Sequence, residues 1–424
     1  MGKTLKFGNG TWATKKGSTL AYNDEDGNFK PLPFAYTGAG KGTRVNKEGL
    51  IEVVENDRPR IDYKDSEDGV FLLEKAATNL VTYSNDFSQS IYGKINLTIT
   101  ANQGISPDGT QNANLLVPNS SVGNRYLTNS TGSNLKTNTV FLKKKELRYV
   151  KVGNAQSNVL VDLENGTISA SSVSTNNFTI ENYGSGWYRV SCHNTLDVNL
   201  QIQIFFGIDG GGSSIATNGT DGVYIYGFQL ESGNVASSYI PTQGTIQTRV
   251  QETASGSGNS EVFNDSQGVL FANISGLVES SPARVISIGE GLNYENGVIM
   301  SFDTSNNLIK YRVRSNNITT VDLSASNVDR TLNHKICLKY KVNDFELWID
   351  GFKINYALSG AVPLSLSKLQ FSDMNVTGAP FYGKTKEIGY YNEVLTDLEL
   401  ETLTSYRTWE AMVKELNLNI IHNE

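Results

Sequence analysis

The chain has 424 residues. Because single hydrophobic cores stop growing at roughly 250–300 residues, we expect two or three domains. Only 19% of the residues are charged, the net charge is −7, and 20 Tyr and 17 Phe supply apolar surface for packed cores. This composition excludes a largely disordered chain, and the lack of a basic stripe argues against nucleic-acid binding as the main role.

Residues 1–69 combine glycine and proline with scattered aromatic side chains, and no strand or helix period lasts. We expect an extended N-terminal arm that packs against another domain, a symmetry mate or a larger assembly. Met1–Lys6 shows no apolar signal region, and no apolar run reaches the ~18 residues that a membrane span needs. We therefore expect no membrane insertion, and a protein that stays in the cytoplasm or leaves it by lysis.

From residue 70 the pattern changes to short apolar runs separated by turn residues such as Pro107-Asp108-Gly109 and Asn165-Gly166. Many short strands at even spacing are typical of a sandwich or barrel, so residues 70–250 predict an antiparallel β-sandwich. The predicted strands are Leu97–Thr100, Thr139–Leu142, Tyr149–Val152, Val159–Leu163, Trp187–Cys192, Leu200–Phe206 and Val223–Leu230.

Residues 251–268 are polar and rich in Gly and Ser, which predicts a linker. A second strand series then predicts another antiparallel sandwich over 269–405. In Phe345–Ile349, apolar and other residues alternate, as expected for a strand that buries one face, and Asp350-Gly351 predicts a tight turn. The predicted strands are Ala283–Ile288, Val298–Phe302, Ile309–Arg314, His334–Val342, Glu346–Ile349, Leu366–Phe371 and Thr385–Tyr391.

One helix and a tail are predicted over residues 396–424. Thr396 and Glu399 form a capping box, with Leu395 and Leu400 at the staple positions. An apolar stripe at helical spacing should pack on the second sandwich or on a neighbouring subunit, and the apolar tail 418–421 should dock. The stripe consists of Leu395, Leu398, Leu403, Tyr406, Trp409, Val413 and Leu416.

The sequence offers little for catalysis, so no catalytic, cofactor or metal residue is assigned. Cys192 and His193 are neighbours on a predicted strand and point to opposite faces, so they cannot pair. Cys192 and Cys337 fall in different predicted domains and should be free buried thiols. The three histidines, which supply no zinc ligand set, are His193, His334 and His422.

Two acidic clusters lie in turn-like segments and should be solvated loops rather than a glycosidase pair. They are Asp24-Glu25-Asp26 and the group of Asp65, Glu67 and Asp68. Loop oxygens could hold calcium, although such residues are also ordinary turn formers. These calcium candidates are Asp209, Asp303, Asn306 and Asn307.

Three further features resemble binding elements at first sight: one glycine-rich loop and two tryptophans. Gly38–Thr43 mimics a phosphate loop, but no strand precedes it, no helix follows, and no Ser or Thr comes directly after Lys41. Trp187 and Trp348 lie within predicted strands, where packing is the expected role rather than stacking on a sugar. Glycan-binding residues remain unassigned, and loops at the sandwich edges are the expected place.

Several segments resemble virion proteins of tailed bacteriophages. The first set looks like their opening module, and the second resembles strands of their carbohydrate-binding-module-like jelly rolls. The first set is Thr43–Glu52, Arg58–Tyr63 and Leu72–Leu80. The second set is Gly186–Ser191, Gly227–Glu231, Ser238–Thr242 and Thr248-Arg249.

Residues 268–405 resemble concanavalin-A-like sandwiches of the laminin-G and pentraxin type, through Leu347–Gly351 and Gly389–Glu399. That fold serves lectins, adhesins and enzymes alike. Together the resemblances imply a virion subunit of a tail fibre, head fibre or decoration, made in the host bacterial cytoplasm. Implied partners are other virion proteins through the N-terminal arm, a host-surface glycan, and further copies in a homotrimer.

The first functional hypothesis is therefore a non-enzymatic structural protein that binds glycan. The second is a polysaccharide depolymerase, a glycoside hydrolase or lyase, which release of reducing ends would reveal. The third is a bacterial surface lectin or adhesin, for which a signal peptide or sorting tail is expected and neither is seen.

Overall fold

The computed structural model describes residues 5–20, 31–38, 40–119, 126–130, 136–153, 158–170, 178–193, 201–206, 218–277, 284–291, 294–303, 307–374 and 379–418. Over these ranges the protein forms 33 strands and two helices, which confirms the predicted all-β class. No helix in this part of the chain is both long and apolar enough to cross a membrane.

The strands of the N-terminal third are β1 (Leu5–Gly8), β2 (Ala13–Lys15), β3 (Ser18–Leu20), β4 (Phe34–Thr37), β5 (Thr43–Val45), β6 (Ile51–Val53), β7 (Arg60–Asp62), β8 (Val70–Leu73), β9 (Ala77–Asn79), β10 (Tyr92–Ile95), β11 (Leu97–Gly104), β12 (Ala113–Pro118) and β13 (Tyr126–Ser130). The middle strands are β14 (Lys136–Lys144), β15 (Tyr149–Gly153), β16 (Asn158–Asp162), β17 (Thr167–Ala170), β18 (Phe178–Asn182), β19 (Trp187–His193), β20 (Gln201–Phe206), β21 (Val223–Ser232), β22 (Gln247–Arg249) and β23 (Thr253–Ser255). The last elements are β24 (Gln267–Gly276), β25 (Arg284–Gly289), β26 (Gly297–Asp303), β27 (Leu308–Ser315), β28 (Ile318–Ala325), β29 (His334–Lys341), β30 (Asp344–Ile349), β31 (Phe352–Ala357), β32 (Lys368–Gln370), β33 (Gly383–Tyr391), α1 (Asp397–Thr404) and α2 (Trp409–Glu415).

The chain divides into two compact units that do not follow the chain order. Unit 1 consists of Met1–Ala39, Glu55–Lys75 and Gln251–Glu424, and unit 2 of Gly40–Val54 and Ala76–Val250. The sequence predicted a separate arm over 1–69 and one sandwich over 70–250. The boundaries differ because strands of the N-terminal region pair with strands from the end of the chain, which no local pattern reveals.

Unit 2 is built on two six-stranded antiparallel sheets. One has the strand order β10-β13-β20-β15-β16-β17 and the other the order β11-β12-β21-β14-β19-β18. Buried aliphatic side chains from both sheets, such as Val150, Val161, Val190 and Ile225, form one core cluster. The two-stranded ribbons β5-β6 and β9-β22 complete the unit.

Unit 1 carries an eight-stranded and a five-stranded sheet. The first runs β31-β30-β29-β24-β33-β8-β7, with β1 also pairing with β33, and the second runs β28-β27-β26-β25-β32. A four-stranded sheet, β2-β3-β4-β23, belongs to the same unit. The strands β1, β7 and β8 from the N-terminal region are thus hydrogen-bonded members of the C-terminal fold.

The segment predicted as a linker, residues 251–268, contains structure of its own. Its strand β23 pairs with β4, and Val262 and Phe263 are buried in the core of unit 1. The turn signal itself is real, since Gly256 and Gly258 have φ values of 80° and 86°. Glycine content therefore located the turns correctly, but it did not reveal the strand before them or the buried side chains after them.

The hairpin of β30 and β31 corrects one sequence expectation. The predicted turn is present, with Asp350 at φ 51° and Gly351 at φ 90°, as tight hairpins require. However, β30 is buried on both faces rather than one, because α1 contacts the sheet on the side of Trp348. Glu346 is buried there as well, beside the ammonium groups of Lys339 and Lys353.

The C-terminal helical region forms two short helices where one was predicted. The capping box of Thr396 and Glu399 is confirmed, and Leu395 and Leu400 are buried. The first helix, α1, ends at Thr404 with Ser405 as its C-terminal cap, and α2 begins after Thr408. The Thr408 hydroxyl accepts from the backbone amide of Ala411. This break is expected, because Ser and Thr favour capping positions over helix interiors.

The stripe prediction was wrong at Leu398 and Trp409, which are 72% and 57% exposed. The break between the helices ends the regular 3–4 spacing on which that stripe depended. The tail prediction concerns 418–421, of which residues 419–421 lie outside the described residues. Leu418 is 42% exposed.

Candidate functional site

A cleft of about 830 Å³ lies within unit 2, and all of its lining residues belong to that unit. Polar side chains and three tyrosines dominate its walls. The lining residues are Lys41, Thr43, Ile51, Val53, Tyr83, Ser84, Asn85, Asp86, Asp108, Thr110, Asn112, Tyr226, Tyr239, Pro241, Thr242, Gln243 and Gln247.

One wall is the turn that carries Asp108. Gly109 takes a φ of 81°, which closes the turn, and the Asp108 carboxylate holds it together. Its Oδ1 accepts from the Ser106 hydroxyl at 2.6 Å and from the amide and hydroxyl of Thr110 at 2.8 and 2.7 Å. Its Oδ2 accepts from the Asn112 amide at 2.9 Å. The carboxylate is therefore fixed in place before any ligand arrives.

Two tyrosines form the inner part of the cleft. Tyr226 donates to Asp108 Oδ2 at 2.9 Å, and Tyr239 donates to the Ser84 hydroxyl at 2.8 Å. Their ring centroids are 5.7 Å apart, so each ring limits the movement of the other. Burial raises the pKa of both phenols well above the ordinary value, so both remain protonated donors.

A second part of the lining is the segment Tyr83–Asp86, which comes after strand β9. Backbone hydrogen bonds join it to the segment around Thr242. The Ser84 backbone amide donates to the Thr242 carbonyl at 3.2 Å, and Tyr83 forms an isolated antiparallel β-bridge with Gln243. The side-chain amide of Asn85 donates to the backbone carbonyl of Asn112 at 3.0 Å. The two parts of the lining are thus tied together through their own polar groups.

Two buried side-chain oxygens of lining residues have no hydrogen-bond partner among the described residues. They are Thr242 Oγ1, on a residue that is only 7% exposed, and Asn112 Oδ1. Because an unsatisfied buried polar atom is costly, such atoms are the natural partners of water or of a polar ligand.

The charges on the lining are two carboxylates and one ammonium. Burial acts to raise the pKa of Asp108, but the hydrogen bonds from Ser106, Thr110 and Asn112 outweigh it and leave that pKa below its usual value. Hydrogen bonds from Ser88 and Gln89 likewise lower the pKa of Asp86, which is exposed at the rim. Both carboxylates are therefore ionised at neutral pH.

The phosphate-loop look-alike contributes to this cleft in another way. Lys41 and Thr43 line it, and Thr43 opens strand β5 rather than a helix. The Thr43 hydroxyl donates to the Tyr239 carbonyl at 2.6 Å. The expectation that this segment is not a phosphate loop is consistent with that local structure.

The tryptophans predicted to pack rather than to bind are confirmed as buried. Trp187 is 1% exposed and donates to the Ile105 carbonyl at 3.1 Å, and Trp348 is 5% exposed and donates to Glu346 at 2.7 Å. Cys192 and Cys337 are both buried, and neither forms a disulfide bond, as predicted.

None of the histidine and acidic candidates in the described part of the chain is a lining residue of the cleft. His193 contacts Thr137, His334 contacts Asp350 in unit 1, and His422 lies outside the described residues. Asp65 pairs with Lys384 at 2.6 Å. Glu67 and Asp68 are exposed, and Asp24–Asp26 lies outside the described residues.

Of the calcium candidates, two lie in the described part of the chain: Asp303 ends β26, and Asn307 directly precedes the next strand, β27. Asp303 pairs with Lys310 at 2.5 Å, and Asn307 sits in a turn at φ 48°, while Asp209 and Asn306 lie outside the described residues. Within the described ranges, no three His, Cys, Asp or Glu side chains are grouped as metal ligands would be.

Sequence reasoning missed the cleft because its residues come from four distant segments. The sequence indicates only a turn at Asp108, and only a resemblance at Ser238–Thr242. A usable signal is the run Tyr83-Ser84-Asn85-Asp86, in which four polar side chains come a few residues after the end of β9 at Asn79.

No protein-family model and no curated protein sequence matches the chain. Among solved structures, it is similar to the CBM40 module of the Ruminococcus gnavus IT-sialidase bound to α2,3-sialyllactose. The identity is 17%, the TM-score is 0.31, and the match covers 36% of this chain and 94% of that chain.

Two sialidases are also similar in structure. The leech intramolecular trans-sialidase is 17% identical with a TM-score of 0.29, covering 37% of this chain and 27% of that chain. The Trypanosoma rangeli sialidase is 13% identical with a TM-score of 0.28, and the match covers 91% of this chain and 65% of that chain. The structural neighbours are thus carbohydrate-binding and sialidase β-sandwich proteins at low identity, and this likeness assigns no role to any residue here.

Proposed function

We propose that this chain is a non-enzymatic structural protein of a tailed-phage particle that binds a host-surface glycan in the cleft of unit 2. The observation that carries the proposal is the cleft itself. It is large enough for a small oligosaccharide, and its polar groups are fixed by their own hydrogen bonds.

The chemistry of the walls suits a sugar. A sugar ring presents many hydroxyl groups beside small apolar patches, so it needs several hydrogen-bonding side chains and some apolar surface. The hydrogen-bonding side chains are those of Asn112, Thr242 and Gln247. The apolar surface comes from the side chains of Ile51, Val53 and Tyr83. Preorganised groups lose little entropy on binding, which favours affinity for a weakly held ligand.

The phage assignment is supported by the place of the resembling segments. Thr43–Glu52, which looks like the opening module of phage virion proteins, supplies Thr43 and Ile51 to the cleft. Ser238–Thr242, which resembles the exit of their jelly rolls, supplies Tyr239 and Thr242. These two segments thus contribute part of the cleft lining, together with residues from other parts of unit 2.

Binding is tested with the full chain on an array of bacterial surface polysaccharides and oligosaccharides. The cleft variant Thr242→Val removes an unpaired hydroxyl and keeps the shape of the side chain. Thr179→Val, at an exposed position on β18 and not on the cleft lining, is the matched control.

We expect glycan binding by the parent chain and by Thr179→Val. Thr242→Val should weaken it about tenfold, the effect of losing one well-placed hydrogen bond. Equal binding by both variants would show that the glycan binds outside this cleft. An absence of binding to every glycan on the array would refute the proposed function.

A glycan-cleaving enzyme is the second candidate, because the cleft holds two carboxylates, Asp86 and Asp108. A glycosidase needs one protonated carboxylic acid, usually with a raised pKa. Here both pKa values are lowered, which favours binding over cleavage. Reducing-end release that increases with time, and that Asp108→Asn abolishes, would establish the enzyme instead.

The place in a particle and the homotrimeric state need their own experiment. Antibody labelling of purified virions under the electron microscope tests the first, and light scattering of the purified chain tests the second. We expect labelled appendages and the mass of three chains, about 139 kDa from a chain mass of 46.4 kDa. A monomer at micromolar concentration would count against the trimer.

A further inference from the structure

The charge of the cleft restricts the kind of glycan that can enter it. Asp86 and Asp108 are both ionised, and Lys41 is the one cationic side chain among the described lining residues. Lys41 is exposed at the rim rather than seated in the wall. The lining therefore carries two negative charges and one positive charge, and Lys94, which is outside the lining, is a further cation that acts on Asp86.

A negative sugar would meet this surface unfavourably. Recognition of a carboxylate typically uses an arginine, whose planar fork donates two parallel hydrogen bonds. The lining residues include no arginine. A sialic acid or uronic acid carboxylate would instead lie near Asp108 or Asp86, and like charges placed together disfavour a complex.

The hydrogen-bonding groups fit uncharged hydroxyls. Thr242 Oγ1 can donate to or accept from a sugar hydroxyl, and Asn112 Oδ1 can accept from one. The oxygens of Asp108 already accept five bonds, from Ser106, Thr110 (two), Asn112 and Tyr226. Asp108 therefore contributes mainly a negative charge at a fixed position in the lining.

We infer that the cleft of unit 2 takes uncharged, hydroxyl-rich sugars and excludes sialylated and uronic-acid-containing glycans. The inference rests on the proposed glycan binding and adds the class of ligand. It also predicts that this cleft disfavours sialyllactose, the ligand that the CBM40 structure contains.

The experiment measures binding of the full chain to matched pairs of oligosaccharides. Each pair is a neutral sugar and the same sugar with one added acid, such as lactose with α2,3-sialyllactose, and neutral repeat units with their uronate-containing counterparts. The variant Asp86→Asn removes one rim charge, and Glu48→Gln removes one exposed charge outside the cleft as the matched control.

For every pair that binds, we expect the neutral member to bind at least about tenfold more tightly at low salt. Asp86→Asn should reduce that preference several-fold, and Glu48→Gln should leave it unchanged. Tighter binding of the acidic members would overturn this inference while leaving glycan binding intact. An absence of binding to every member of every pair would instead refute the proposed function.

A salt titration separates charge exclusion from shape. Because exposed charges are screened as ionic strength rises, the disfavoured acidic member should gain affinity between low and high salt. The neutral member should change little. Salt-independent discrimination together with no effect of Asp86→Asn would show that charge does not select the ligand.

Discussion

Arg60 is a fully buried cation in unit 1 that is held by carboxylates from distant parts of the chain. Its Nε donates to Glu252 Oε1 at 2.7 Å, and its Nη2 contacts both Glu252 and, at 2.7 Å, Glu74. The Tyr36 hydroxyl donates to Glu252 at 2.6 Å. Burial acts to lower the pKa of Arg60, but the two carboxylates outweigh it and raise that pKa.

Removing the central carboxylate should destabilise unit 1 strongly. Glu252→Ala leaves the Arg60 charge buried with one carboxylate fewer, and such a change costs about 3–5 kcal/mol of unfolding free energy. Urea unfolding followed by fluorescence measures it. Glu67→Ala, at an exposed position, is the control and should change stability by less than about 0.5 kcal/mol. A small effect of Glu252→Ala would show that the group is not tightly coupled to folding.

His334 gives unit 1 a pH-dependent contact. Its Nδ1 lies 2.6 Å from Asp350 and its Nε2 lies 2.8 Å from the Asp329 carbonyl, so the imidazolium form can donate at both ends. Burial acts to lower the pKa of His334, but the bonds to Asp350 and Asp329 outweigh it and raise that pKa above 6.5.

The sign of the pH effect follows from the raised pKa. The folded state binds the proton more tightly than the unfolded state does, so the stabilisation is complete below pH 6.5 and is lost as pH rises through the folded-state value. We expect the melting temperature to fall between about pH 6 and pH 8, and His334→Gln to flatten that slope. Parallel slopes for both proteins would contradict the assignment to His334.

At the scale of single elements, α1 is stabilised at its start by the capping box. The Thr396 hydroxyl caps the Glu399 amide, and the Glu399 carboxylate accepts from the Thr396 amide at 2.8 Å. Thr396→Ala should therefore cost about 1 kcal/mol of stability, measured by chemical unfolding. The control is Thr402→Ala, inside the same helix, where the hydroxyl bonds only to the Leu398 carbonyl. Equal effects would show that capping is not what Thr396 contributes.

Strands and turns could be predicted from the sequence because their signals are local. The series of short strands predicted after residue 268 includes β27 and β29, and Asp350-Gly351 predicted its hairpin, since only a few residue types accept positive φ. The two-sided burial of β30 could not be predicted, because it depends on α1, about fifty residues further along. The cleft was hidden for the same reason, as Asp108 and Thr242 are far apart in sequence.

At the scale of the whole molecule, the core of unit 1 needs its N-terminal strands. Residues from the first part of the chain pack with those of the last part in one cluster. These N-terminal members are Leu5, Phe7, Phe34, Tyr36, Ile61, Phe71 and Leu73. A fragment of residues 251–424 would expose the apolar surface that they cover.

We therefore expect the fragment 251–424 to be insoluble or to lack a cooperative unfolding transition. Circular dichroism and size-exclusion chromatography measure this, with the full chain as the reference. Adding a synthetic peptide of residues 55–75, which supplies β7 and β8, should improve solubility if strand pairing is the missing part. A fragment that is soluble alone, with the melting temperature of the full chain, would refute the requirement.

The pairing of β1 with β33 has a consequence for biosynthesis. Leu5 lies opposite Tyr390, so β1 cannot pair with β33 until the ribosome has added all of the residues that separate these two positions. Unit 2, whose last residue is Val250, has all of its strands available long before then. Unit 2 can therefore fold while β1 still waits for its partner strand.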